Sequence, residues 1–179
     1  MLQALRTRTN LVLLVAVALA LTMLILLLTV GTKAVGVTSK GAKEQARIDA
    51  VKSVVTTEIT ALFSPDYRHL DAWKTSVTDN VSGDFLTFVN LQIENSKARI
   101  YAAKIIATGG VDAVAINDLT GTTAKTFVMA HENETSPSLK SVAASGKCPA
   151  KTLCSPYVLE VDLTLTPSGW KVSKWGPVA

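Results

Sequence analysis

Tyr157-Val158-Leu159-Glu160-Val161-Asp162-Leu163-Thr164-Leu165-Thr166 alternates with period two: Tyr157, Leu159, Val161, Leu163 and Leu165 point one way, while Val158, Glu160, Asp162, Thr164 and Thr166 point the other. A strand of this kind lays one face on a core and leaves a mostly polar face outside, as in antiparallel sheets covered on one side. Pro167-Ser168-Gly169 then turns the chain into a last strand, Trp170–Trp175, with Trp170 and Val172 alternating inward. Upstream, Thr123–Glu132 and Val111–Leu119 read as two further strands separated at Thr120-Gly121. Ala98–Thr108 reads as another, with Gly109-Gly110 as its turn.

Before residue 98 the period is helical. Ile48, Val51, Val55, Ile59 and Leu62 recur at three- and four-residue steps, predicting a helix from about Ala42 to Phe63 with a single apolar stripe. Ser64 is placed to N-cap a second helix with Pro65 at its first position, and Tyr67, Leu70, Trp73 and Val77 share a face of it. Ser82-Gly83-Asp84 opens a third, shorter helix carrying Phe85, Phe88, Val89 and Ile93. Strands that follow helices, rather than alternating with them, imply an α+β domain with about three helices packed on one face of a curved antiparallel sheet of four to five strands.

At the other end, Leu11–Val30 is one apolar run without charge or proline. Twenty helical residues span about 30 Å, the hydrocarbon thickness of a bilayer, and exceed the core of an ordinary cleaved signal. The expected organisation is therefore a cytoplasmic N-terminus (residues 1–10), a transmembrane helix (11–30), a stalk (31–41) and an extracytoplasmic domain (42–179). Arg6 and Arg8 favour an inner N-terminus, and long C-terminal domains cross largely regardless of charge. Ala16, Ala18 and Ala20 offer close-packing positions within the membrane. The net charge of +4 falls to +2 without those two arginines, and no basic cluster of nucleic-acid type occurs. The cysteines, Cys148 and Cys154, lie close together in a stretch, Ser136–Pro156, that reads as an extended hairpin loop. They read as a disulfide formed in an oxidising compartment, closing so short a loop that it adds only about 2 kcal/mol.

The chain is poor in reactive constellations. His69 and His131 stand apart, and a metal site needs about four ligands, so no metal and no cofactor is expected. No nucleophile elbow, phosphate loop or metalloprotease helix is present, and no residue is assigned a catalytic role. Asp66, Tyr67, Arg68 and Asp71 form the densest polar cluster; Asp66 in a first helical turn favours the helix dipole, and Arg68 can pair with a neighbouring carboxylate.

The segment Asp66-Tyr67-Arg68-His69-Leu70-Asp71, preceded by Leu62-Phe63-Ser64-Pro65, resembles the Asp-Tyr-Arg-x-Leu-Asp signature of the Mce-associated membrane proteins of actinobacteria. Ser82-Gly83-Asp84-Phe85 is similar to the Thr-Gly-Asp-Phe-type element of that family, and Ser168-Gly169-Trp170-Lys171-Val172 to its terminal hairpin. The resemblance implies a cone-shaped domain of the nuclear-transport-factor-2-like type. It also implies a non-enzymatic accessory subunit of an Mce lipid importer for fatty acids or sterols, with transporter subunits and membrane lipid as partners. Asp66, Tyr67, Arg68, Leu70, Asp71, Gly83, Asp84, Phe85 and Trp170 would then serve structure or interface. Two other readings remain. A scaffold subunit of a type IV secretion or conjugation system has the same layout of anchor plus cone. An enzyme or ligand-binding cone would need Asp112 or Asp162 to point inward, and alternation turns Asp162 away from the core, whereas a lipid-binding apolar cone needs no such carboxylate.

Overall fold

The computed structural model describes residues 40–140, 143, 145, 146 and 148–178. The apolar run Leu11–Val30 lies outside them; among the described residues no helix is long and apolar enough to cross a membrane. Two compact units divide the chain, Met1–Ala46 and Arg47–Ala179. In the first, residues 40–46 are helical.

The second unit is α+β. Helix α1 covers residues 47–62, α2 Leu70–Thr78 and α3 Asp84–Ala103. Four strands follow: β1 (Ile106–Leu119), β2 (Thr123–Thr135), β3 (Leu153–Thr166) and β4 (Gly169–Pro177). They form one antiparallel sheet in the order β1-β2-β3-β4. Each strand pairs with its neighbour in sequence, so hairpins alone build the sheet and no crossover is needed.

The alternation of β3 sets the two faces. Leu159, Val161 and Leu163 are buried, as are Val128 and Ala130 of β2 and Trp170 and Val172 of β4. The stripe of α1 lies on this inner face, where Val51, Val55 and Ile59 are completely buried in the same cluster. A second cluster joins Trp73 and Val77 of α2 to Val89, Ile93 and Ile100 of α3, and to Ile105 and Ala107 where β1 begins. Ser82 donates to the Val172 carbonyl (3.0 Å) and Val172 to that of Asn80 (2.7 Å), so the chain before α3 covers part of the free edge of β4.

Three local expectations give way to tertiary pairing. Ser64 and Pro65 do not open α2. The Pro65 carbonyl accepts the Ala107 N–H (2.9 Å), Tyr67 donates to the Ile105 carbonyl (3.0 Å), and Ser64 Oγ receives the Gly109 N–H (2.8 Å). These bonds to the start of β1 hold residues 64–67 out of a helix, and α2 begins five residues after Pro65, with His69 as an N-cap that makes no side-chain capping bond. The strand predicted over Ala98–Thr108 is instead mostly the last turns of α3. Ile93 and Ile100 stand seven residues apart on the buried face, and the helix ends only at Lys104, whose left-handed backbone (φ 51°) returns its N–H to Ile100 and Tyr101.

Gly109-Gly110 is no turn either; both lie inside β1. A Cβ on Gly109 would sit 2.6 Å from Phe63 Cβ and 2.8 Å from the Thr60 carbonyl oxygen, and one on Gly110 2.5 Å from the His131 ring. These glycines let the end of α1 and the His131 imidazole close onto the strand. Gly109→Ala is expected to lower the unfolding free energy by about 1–3 kcal/mol through overpacking. Gly121→Ala, with nothing within 4 Å of the added Cβ, should stay within about 0.5 kcal/mol of the parent, as read from urea midpoints.

Candidate functional site

The signature segment folds into a closed turn. Asp66 Oδ1 accepts the Arg68 backbone N–H (2.9 Å), and the Arg68 guanidinium grips the same carboxylate through Nε (2.9 and 3.1 Å) and Nη2 (2.6 Å). His69 Nδ1 lies 3.4 Å from Asp66 Oδ2. Arg68's hydrogen bonds hold the Asp66 carboxyl well below the usual carboxylate range. Asp66 is therefore not the first-turn acid of α2 but the carboxylate that shapes the turn before it. Asp71 takes that first-turn position and pairs with Lys97 Nζ (2.8 Å), which holds its carboxyl low; Lys74 meets Glu94 at 2.8 Å. These exposed pairs tie α2 to α3.

The remaining signature residues scatter. Leu70 and Tyr67 pack against the second core cluster, and the Tyr67 ring meets Tyr101 edge-on at 6.4 Å. Gly83 adopts φ +64°, a left-handed position glycine favours, and begins α3; Asp84 follows in its first turn. Phe85 packs edge-on against Trp175 at 4.8 Å, while Trp170 is buried in the first cluster. The structure brings Asp66, Arg68 and His69 together; Asp71 pairs with Lys97 instead, and the other signature residues lie apart from that cluster.

Between helices and sheet lies a cavity of about 200 Å³, lined chiefly by Phe63, Trp73, Val89, Ile93 and Trp175 with Arg99 and Glu132. Drug-sized ligands occupy pockets of about 300–1,000 Å³, so this cavity is smaller than those. Glu132 accepts the Tyr157 hydroxyl (3.0 Å), and burial raises its pKa against that bond. A larger concavity of about 820 Å³ lies on the outer face under the cysteine loop, lined by Asp112, His131, Asn133, Thr152, Cys154 and Pro156 among others. Asp112, at a bulge in β1, reaches His131 Nδ1 at 3.0 Å. Both are substantially exposed, so Asp112 does not point into the cone, and neither does Asp162, whose strand neighbours Val161 and Leu163 take the inner face. Cys148 and Cys154 are bonded, with Cα atoms 5.8 Å apart.

One residue stands out that sequence reading passed over. Glu58 of α1 is fully buried, and neither carboxylate oxygen has a hydrogen-bond partner. Burial pushes its pKa up to about 8, against the attraction of Lys171 and with a smaller push from Asp79. The signal was available: position 58 falls on the stripe seven residues after Val51 and four before Leu62.

No family profile matches the sequence, and no curated relative does. Solved structures share the fold. CagV of Helicobacter pylori, a VirB8 homolog of a type IV secretion system, superposes with a TM-score of 0.54 at 12% identity over 73% of this chain and 99% of its own. The periplasmic domain of DotI gives 0.55 at 15% identity over 73% and 95%. A protein from Novosphingobium aromaticivorans described as Ntf2-like with a cystatin-like fold gives 0.51 at 9% over 77% and 84%. At such identities the likeness establishes a nuclear-transport-factor-2-like fold and nothing finer.

Because the folded Glu58 pKa lies above the unfolded value of 4.5, the folded state holds a proton that the unfolded state releases between pH 4.5 and about 8. Stability is expected to fall as pH rises through that window, by up to roughly 1.4 kcal/mol per pH unit from this group, and Glu58→Gln should remove that slope in pH-dependent urea titrations. Reducing the Cys148–Cys154 bond should lower the unfolding free energy by no more than about 2 kcal/mol, with faster amide exchange confined to the loop between β2 and β3.

Proposed function

We propose that this chain is a non-enzymatic, membrane-anchored scaffold subunit of a type IV secretion or conjugation apparatus, with its α+β domain in the periplasm. One observation carries the reading: the domain covers 99% of CagV and 95% of the DotI periplasmic domain, so it matches those modules almost from end to end. The layout agrees, since an apolar run of twenty residues precedes the domain and would fix it at the membrane surface. The polar chemistry agrees too. The Asp66–Arg68, Asp71–Lys97 and Lys74–Glu94 pairs are spent on holding turns and helices together, and the interior cavity is below ligand size.

The likeness of Asp66–Asp71 to the Mce-associated signature favours a second reading, an accessory subunit that stabilises or regulates an Mce-type lipid importer. In this fold the hexapeptide closes a turn and ties helices, a role either assembly could use. The two readings differ in partners.

Purification of the full-length protein from native membranes in mild detergent, with mass spectrometry of what accompanies it, separates them. Secretion or conjugation subunits are the expected companions. Recovery of Mce proteins with their permease and ATPase would replace this reading with the second, and recovery of the protein alone with bound lipid would overturn both.

A further inference from the structure

Lys104, Lys140 and Lys151 stand far apart in sequence, and the fold brings them to one groove. It has a volume of about 370 Å³ and lies at the end of the sheet where β1 begins, β2 ends and the chain returns to β3. Tyr67, Ser136 and Thr152 line it beside the lysines, and Ile106 and Pro137 add an apolar wall. No aspartate or glutamate lines it. All three lysines are exposed, and none forms an ion pair among the described residues, whereas Lys74 and Lys97 are paired with carboxylates of α2 and α3. Three cations around a concavity with no acid in its wall concentrate anions there.

Backbone conformation singles out two of the same residues. Positive φ is taken by glycine at Gly83, Gly146 and Gly169. Among the described residues, a residue with a side chain takes it only at Lys104 (φ 51°) and Lys151 (φ 64°). A Cβ in that conformation crowds the neighbouring carbonyl, a cost that glycine avoids, and residues kept there against it cluster at sites that hold ligands. Lys151 carries a second constraint. It lies within the loop closed by the Cys148–Cys154 bond, so a bond that adds little to global stability fixes the backbone that carries this ammonium.

The donors set the ligand chemistry. Lysine ammoniums are point charges that suit an oxyanion approached from several sides, whereas planar carboxylates are better matched by the arginine fork. A phosphate monoester carries close to two negative charges and three strong acceptor oxygens. The groove falls within the range of about 300–1,000 Å³ usual for small-molecule pockets, which leaves room for the organic part of the ester. We propose that this groove binds a phosphate monoester, with its phosphoryl oxygens on Lys104, Lys140 and Lys151, its organic part against Ile106 and Pro137, and the disulfide holding the Lys151 loop in place. A soluble phosphorylated molecule and a lipid headgroup share that chemistry. The proposal is independent of which envelope complex the protein serves.

The test uses the full-length protein in phosphatidylcholine nanodiscs. Equilibrium dialysis reads binding of labelled glycerol 3-phosphate, and flotation reads binding to phosphatidylcholine vesicles with and without phosphatidate. Glycerol 3-phosphate should bind, and Lys104→Gln, Lys140→Gln and Lys151→Gln should each weaken it about two- to fivefold. Lys174→Gln, the same charge change at an exposed position of β4, should not. Binding of phosphatidate vesicles alone, with the same dependence on the three lysines, would support the groove with a lipid as the source. Reduction of the Cys148–Cys154 bond should weaken binding, and Lys151→Gln should then cost little more. Lys104→Gly and Lys151→Gly should weaken binding as the glutamine variants do without lowering the urea midpoint, since glycine takes positive φ freely. The proposal would be overturned if neither probe bound, if Lys174→Gln weakened binding as much as the groove variants, or if binding were unchanged by reduction. A lower urea midpoint in the glycine variants would also overturn it, by assigning these lysines to the fold.

Discussion

Val51, Val55 and Ile59, buried to the last atom beneath α1, hold the helix layer to the sheet. Opposite them stand Val128, Val161, Leu163 and Val172 from three adjacent strands. Four of these seven side chains come from strands whose period is two, and three from a helix whose period is near 3.6, so the contact exists only if both patterns stay in register. Much else follows from it. The end of α1 can rest on β1 because Gly109 has no side chain, and Ser64 then bonds back to the same strand. That bond sets where the signature turn sits, and the turn sets where α2 begins.

The long periodic segments were legible for that reason. The stripe of α1 and the alternation of β3 each repeat through several turns or pairs, and each was read in its correct form, as were the hairpin order of the last three strands and the absence of crossovers. What sequence could not supply was competition between local and distant partners. Ser64-Pro65 is a good local helix start, yet strand pairing at Ala107 and Gly109 claims those atoms first. Ala98–Ala103 suits helix or strand, and only burial of Ile100 in the cluster with α2 and the start of β1 decides. A Gly-Gly pair ordinarily marks a turn; here it marks two close approaches to β1, by Phe63 and by His131.

The candidate site was legible in part. Asp66 and Arg68 do meet, and the cysteines are joined as their spacing suggested. The strand register could not be read, because it passes two bulges in β1 and one shift between β3 and β4. Glu58 could have been found, since an acid at a stripe position is visible in sequence alone. Its unpaired burial shows that α1 is held by its apolar neighbours firmly enough to carry an uncompensated carboxyl, which stays protonated below about pH 8.

Amide hydrogen exchange on the full-length protein tests the dependence on α1 most directly. The slowest amides should be those of residues 51–62 together with the central strands β2 and β3, and they should exchange as one cooperative group with a common dependence on denaturant. If α1 exchanged early and separately while the sheet stayed protected, the helix would be a peripheral addition and not the element on which the fold is built.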